Sequence, residues 1–408
     1  MCKKGQQELH RKFTQFSGFA WFKNSKISAN SINILFSIIC SIFLILLCFP
    51  LFSEAKVTGV CSNCHTMHNS QNGQAVCYDF DGTDFSKTTT PKGNLLIYSC
   101  LGCHSATDGT TWKDSFTNAP IVFNTFPPQY GASSDGGTTY QGLAGGNFYW
   151  VKTADTKGHN IFADNPDSLS PAPGDMGFSG CGTNNCHKNF DQPFSGIPEL
   201  TGRQGCTKCH MVSNSGETSG FHHADDGTGT KYVDSAAKGW YRFLSGHQSG
   251  DSYGVKGIED EDWQYTNSAS DHNEYLGYHD EDVGYGFSAL DHTTTAFCTG
   301  CHSNFHNLLG GPSPWLRHPS DARLPASWEY TAYTTYDPLI PVARPDGFDW
   351  GGGPIDTVSP GTDMVMCLSC HRAHGSPYFK MMRWDYKGES STLSEALSGC
   401  NKCHTSKN

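Results

Sequence analysis

CLSCHRAHGS, residues 367–376, decides how this 408-residue chain is read. Two cysteines stand three apart, a histidine follows the second at once, and another histidine comes three residues later. CSNCHTMHNS at 61–70 repeats the arrangement. Working outward, the pattern recurs as Cys61-Cys64-His65, Cys100-Cys103-His104, Cys181-Cys186-His187, Cys206-Cys209-His210, Cys298-Cys301-His302, Cys367-Cys370-His371 and Cys400-Cys403-His404. Six of these have two residues between the cysteines, and the third, CGTNNCH at 181–187, has four.

Two thiols on one short helical turn can add to the two vinyl groups of a single haem, leaving the next residue to point its imidazole at the iron. Zinc sites, disulfides or a redox dithiol would also use paired cysteines, but none requires histidine directly after the second cysteine every time. Histidine fills 19 of 408 positions, so seven matches out of seven by composition alone come to about one in a billion. Iron–sulfur ligation would need cysteines in a tighter run. The chain is therefore expected to carry seven covalently bound c-type haems, with His65, His104, His187, His210, His302, His371 and His404 as proximal ligands. The four-residue spacer loops out and leaves its Cys-His end intact. Cys77 falls outside the scheme, as a buried thiol or a partner for another chain.

A haem conducts or catalyses according to its sixth position: a second imidazole closes the iron, and an open position admits substrate. Beyond the leader and the proximal set lie His68, His159, His222, His223, His247, His272, His279, His292, His306, His318 and His374. His68, His306 and His374 follow their own proximal histidines by three or four residues. On a helical turn they share that face, so they cannot cross the porphyrin to the same iron. Each is expected to ligate a different haem, joining neighbours. His159, His318, His247 and one of the His222-His223 pair, with His223 preferred, complete the expected distal set. His222 and His272 are reserves, while His279 and His292 read as bystanders.

Residues 1–31 are basic, and Ile32–Phe49 is an apolar run followed by Pro50 and Ser53-Glu54-Ala55. This reads as a signal peptide over 1–55, implying export, with an uncleaved anchor as the alternative. The remaining 56–408 reads as a single heptahaem domain. Removing the leader's six Lys/Arg and two Asp/Glu takes the net charge from −11 to −15. Nucleic acid and anionic membrane surfaces are poor partners for such a chain. The acidic runs at 259–262 and 280–282 read as solvated loops.

The 45 glycines and 25 phenylalanines, set among short polar residues and few aliphatics, would struggle to enclose a protein-only core. The fold expected is mostly irregular coil, with short helices at the motifs, few strands and a core of stacked haems. The motifs cluster at 61–104, 181–210 and 367–404, with one alone at 298. The aromatic stretches AGGNFYWV and KGWYRFL are expected to pack on porphyrin faces.

With these residues in view, the chain resembles the secreted multihaem c-type cytochromes of metal-reducing bacteria, and among them the filament-forming hexahaem type. The matching stretches are CSNCHTMHNS at 61–70, KGHNI at 157–161, LRHP at 316–319, CLSCHRAHGS at 367–376 and CNKCH at 400–404. The resemblance implies bis-histidine low-spin haems in a near-continuous stack, and extracellular electron transfer. It also implies a homopolymer in which His68 ligates a haem of the adjacent subunit. Partners would be other multihaem cytochromes and extracellular electron acceptors. The chain departs from that type in its seventh motif, the Cys181-Cys186-His187 site. Two other readings stand beside the filament: a monomeric periplasmic shuttle, and an oxyanion reductase with one open haem. The histidine supply and the net negative charge weigh against the reductase, so no enzymatic activity is expected.

Overall fold

The computed structural model describes residues 60–71, 73–76, 78–80, 85–87, 89–91, 93, 95, 100–130, 142–162, 205–206, 209–210, 222, 231–236, 238–244, 254–278, 292–302, 318–387 and 399–405. The chain divides into two compact units, 1–52 and 53–408, and all the described residues belong to the second. The expected signal peptide, Cys77, the Cys181-Cys186-His187 motif, His223, His247, His279 and His306 lie outside the described residues.

One turn is built six times. In each described motif the histidine N–H donates to the carbonyl of the first cysteine, four residues back. The distances are 2.8 Å at His65, 3.0 Å at His104, 2.8 Å at His210, 3.0 Å at His302, 3.1 Å at His371 and 2.9 Å at His404. A four-residue hydrogen-bonded turn brings both thiols and the imidazole to one side of the backbone. Cys61–Asn63, Cys100–Gly102 and Gly399–Lys402 form these turns as 3-10 helix. The other two helical motifs are α-helical: α1 (Thr294–Thr299), which carries Cys298, and α2 (Cys367–Cys370). Thr293 caps α1, its hydroxyl accepting from Ala296 N at 3.0 Å, which satisfies one of the donors a helix start leaves bare.

Strands are two or three residues long. β1 (Ser70–Gln71) pairs with β2 (Gln74–Ala75), β3 (Tyr78–Phe80) with β4 (Phe85–Lys87), and β5 (Ser105–Ala106) runs parallel to β6 (Phe123–Asn124). Six more strands unite in one mixed sheet: β7 (Tyr232–Val233), β8 (Gly257–Ile258), β9 (Glu274–Leu276), β10 (Ala322–Arg323), β11 (Ala343–Arg344) and β12 (Met364–Val365). Its order is β10-β12-β11-β9-β8-β7, antiparallel except where β11 meets β9. The fold is thus mostly irregular, as composition implies, but chain segments 130 residues apart are tied by a sheet that composition does not reveal.

The apolar residues among those described form three separate clusters, and none is a full domain core. One gathers Leu324, Tyr333, Tyr336, Ile340, Val342 and Trp384, with Cys370, Cys400 and Cys403 packed against it. A second, around Leu101, Phe123, Val151 and Phe162, takes in Cys206. The third surrounds Tyr241, Tyr275 and Met364 beneath the sheet. Motif cysteines border two of these islands, so a bulky apolar group attached there would extend the packing.

A buried charge network pins the sheet. Arg344 on β11, 1% exposed, donates to Glu274 on β9 at 2.7 and 2.9 Å and to Asp363 at 2.7 Å. Burial works to raise the Glu274 carboxyl, but hydrogen bonds from His272 and Arg344 outweigh it and hold the carboxyl below its ordinary range. Burial raises Asp363, with Arg344 acting against it.

Candidate functional site

None of the twelve described motif cysteines is in a disulfide. Among the described residues, no group of three or more His, Cys, Asp or Glu side chains converges as a metal cage. The cysteines instead line up motif by motif. Cys64 and Cys103 share a hydrogen bond, as do Cys100 and Cys206, and Cys298 and Cys367. The Cys370 thiol is pushed up to about 12, first by burial and then by Cys400 and Cys403. Hydrogen-bonded thiols therefore join successive described motifs at three of five steps, and at the other two the thiols act electrostatically, Cys209 on Cys298 and Cys400 on Cys370.

The histidines meet in pairs, each joining one motif histidine to a histidine from elsewhere. His104 faces His222 with ring centroids 6.3 Å apart. His302 faces His159 at 6.1 Å, His210 faces His374 at 5.9 Å, and His404 faces His318 at 6.3 Å. These separations exceed that of packed rings such as Trp112 on Tyr265, at 4.0 Å. Two metal–nitrogen bonds of about 2 Å, with about 1 Å more from each nitrogen to its ring centre, put two axial imidazoles about 6 Å apart. The four pairs fit an iron held from both faces.

Five of these site histidines are held at Nδ1 by a backbone carbonyl, whereas Nδ1 of His374 is buried with no hydrogen-bond partner among the described residues. Nδ1 of His104 bonds the Pro120 carbonyl at 2.9 Å, that of His210 the Arg242 carbonyl at 2.8 Å and that of His371 the Lys380 carbonyl at 3.0 Å. His159 uses Ala373 at 2.7 Å and His318 uses Pro319 at 2.9 Å. Nδ1 held by a carbonyl acceptor carries the proton, so Nε2 is left as the donor atom, the arrangement that metal-ligating histidines use. Burial lowers the pKa of His104, His210 and His371. His374 is pushed down to about 3, by burial and then by His210 and His159. Neutral imidazole is the form that binds metal.

His374 is positioned by the segment opposite it. Its N–H donates to the Gly145 carbonyl at 2.7 Å, and Asn147 N donates to the Gly375 carbonyl at 3.0 Å. Gly146 has φ of 83°, and a Cβ there would collide with the Gly375 carbonyl. Only glycine lets the two strands of backbone lie this close. Phe148, from the aromatic stretch AGGNFYWV, stacks on His374 at 4.7 Å. Phe243, from KGWYRFL, meets His222 edge-on at 5.7 Å.

His374 thus stands beside His210, a proximal histidine of another motif. His222, held in reserve by the sequence reading, is the member of its pair that faces His104. His272 is placed differently from a ligand: it is buried, stacks on Tyr336 at 3.6 Å, and gives its two ring nitrogens to Ser268 and Glu274 at 3.2 Å each. Its place is in the Arg344 network. His292 stacks on Trp240 at 5.0 Å and bonds the Gly254 carbonyl at 2.8 Å. His65 and His68 are exposed, His68 on a left-handed turn with φ of 53°.

Sequence reasoning missed the residues that present the Nδ1 acceptors. Arg242 and Lys380 both have left-handed backbone, with φ of 47° and 56°. Each lies just before a residue that bridges the histidine it serves, His210 to Leu244 and His371 to Met382. The signal was a weak one: Tyr241-Arg242-Phe243-Leu244 and Phe379-Lys380-Met381-Met382 share an aromatic–basic–apolar–apolar pattern.

Repeated thioether-forming cysteine pairs with paired imidazoles are the donor set of a multihaem c-type cytochrome. By sequence the chain is similar to the C-type cytochrome OmcS of Geobacter sulfurreducens, 26% identical over 396 residues, spanning 82% of this chain and 81% of that protein. Among solved structures it is similar to the Outer Membrane Cytochrome S Filament from Geobacter sulfurreducens, with a TM-score of 0.46, 22% identity, and coverage of 84% of this chain and 87% of that one. It is also similar to the OmcS nanowires from the same organism, with a TM-score of 0.42, 21% identity, and coverage of 85% and 88%. No family model matches the chain.

Proposed function

We propose that this chain is an exported heptahaem c-type cytochrome that moves electrons outside the cell and performs no catalysis of its own. The observation that carries the reading is the set of four imidazole pairs at 5.9–6.3 Å, each uniting a motif histidine with a distant one. The leader over 1–55 accounts for export, and the similarity to a filament cytochrome supports an extracellular place of work.

Bound haem supplies an iron that changes oxidation state by one electron. The chain's residues do the rest. Each cysteine pair would hold its haem covalently on a fixed turn, and each histidine pair would ligate the iron and leave substrate no entry. His374 would bind across motifs, from the turn of His371 to the iron of His210, fixing the distance between neighbouring sites without a continuous protein core. Because thiols of neighbouring described motifs hydrogen-bond at three of five steps, electrons would have a row of close sites to follow. In this reading the Cys181-Cys186-His187 motif supplies the seventh haem, and His247 and His306 remain as further distal ligands. His68, which is exposed, would ligate a haem of a neighbouring subunit and so generate a head-to-tail polymer.

Intact mass spectrometry of the secreted protein tests the assignment. Seven haem additions per chain are expected, with every cysteine but Cys77 unreactive to a thiol reagent. Fewer additions, or freely alkylated motif cysteines, would refute it. Replacing His68 should leave the haem content at seven while abolishing the polymer seen by electron microscopy.

A further inference from the structure

His404 differs from His104, His210 and His371 in what holds its Nδ1. His104, His210 and His371 each give that proton to a backbone carbonyl, whereas His404 gives it to a carboxylate, Oε1 of Glu329, at 2.9 Å. The contact is built. Glu329 stands in the first turn of the 3-10 helix Trp328–Ala332, and its own carbonyl accepts from Thr405 Oγ1 at 2.6 Å. Tyr330, the next residue, lies edge-on against the His404 ring at 5.2 Å. On the motif side, Lys402 is tied to Asp337 at 2.8 Å, fixing the turn that carries His404. The side chains of His404 and Glu329 are 31% and 19% exposed, so the pair is only partly screened by water.

We propose that Glu329 is a positioning residue that sets the reduction potential of the C-terminal haem site. The inference rests on the reading of His404 as an iron ligand. A carboxylate accepting the Nδ1 proton draws it away from the ring, and Nε2 becomes a stronger electron donor than in a carbonyl-bonded imidazole. Stronger donation and the nearby negative charge both favour the oxidised iron, which carries one more positive charge than the reduced iron. Glu329 therefore lowers this site's potential relative to the same site with a neutral acceptor. An electron reaching the C-terminal end is held less tightly there and passes on more readily.

The test uses the full, haem-loaded secreted protein and its Glu329→Gln variant, which keeps an acceptor oxygen and removes the charge. Mass spectrometry of the peptide bearing Cys400 and Cys403 comes first. A bare peptide in the unmodified protein overturns the haem assignment itself, and with it this proposal. With haem attached, a spectroelectrochemical titration should show one component moved to higher potential and the rest unmoved, together with a changed low-spin resonance for that one haem. An unchanged titration, or a uniform displacement of all components, overturns the role of Glu329 and leaves the haem assignment standing. If the Gln variant loses this haem, Glu329→Asp serves instead. Its carboxylate is withdrawn by one methylene and should give a smaller displacement in the same direction; no displacement overturns the proposal.

Discussion

The carbonyl of Arg242 accepts the Nδ1 proton of His210 at 2.8 Å, from a residue whose own backbone is left-handed, with φ of 47°. Lys380 repeats the relationship with His371 at 3.0 Å and φ of 56°. For a residue with a Cβ this conformation costs roughly 1–2 kcal/mol. In return the peptide turns far enough to aim a carbonyl at an imidazole that must be held in one orientation.

Lys380 is exposed, so the cost of its conformation is measurable without disturbing packing. Lys380→Gly should melt within about 1 kcal/mol of the unmodified protein, because relief of strain and lost chain stiffness oppose each other. Lys380→Ile should be destabilised by more than about 1 kcal/mol, since a β-branched side chain resists this region hardest. Thermal denaturation of the haem-loaded variants decides between these outcomes.

On the proposed pairing of His374 with His210, removing His374 should open the iron served by His210, leaving the haem on its own motif closed. His374→Ala is expected to convert one haem to high spin while the count per chain is unchanged. Comparing it with a His374→Ala, His210→Ala double variant locates the change: the same single site should be affected in both. Two independently perturbed haems would contradict the pairing.

Arg344 neutralises two buried carboxylates at once. Arg344→Ala should cost about 3–5 kcal/mol, because Glu274 and Asp363 are left buried without their shared cation. Denaturant titration monitored through the Soret band gives the value. A loss below about 1 kcal/mol would mean that the network does not hold the sheet together.

Asp260 gives a pH-dependent prediction. Burial, followed by its hydrogen bond with Asp262, raises its carboxyl to about 7. Between about 4, the ordinary carboxylate value, and about 7, the folded chain binds a proton that the unfolded chain does not. This contribution to stability is therefore present at low pH and is lost as pH rises through 7. Asp260→Asn should accordingly gain in melting temperature relative to the unmodified protein as pH goes from 5 to 8. A constant difference across that range would refute the shift.

The motifs and the crossed direction of His374 were legible because they depend on spacing within a few residues. The choice between His222 and His223 was not, since adjacent residues share every local signal and only the approach of His104 separates them. His272 misled for a related reason: a spare histidine in a haem-rich chain looks like a ligand until its neighbours Asn273, Glu274 and Tyr275 are seen to be buried with it. Strands of two residues carry no readable alternation, so the six-stranded sheet is fixed by distant pairings alone. Arg344 did leave a trace, a single cation closing the run Leu339-Ile340-Pro341-Val342-Ala343, whose burial requires the arginine to be paired inside.

The central claim is that each iron on this chain is gripped by imidazole from both sides. Near-infrared magnetic circular dichroism of the fully oxidised protein reads axial ligation directly. A charge-transfer band of bis-histidine low-spin haem is expected, with an intensity that corresponds to seven haems per chain. A high-spin component, or a band at the position of histidine–methionine ligation, would contradict it.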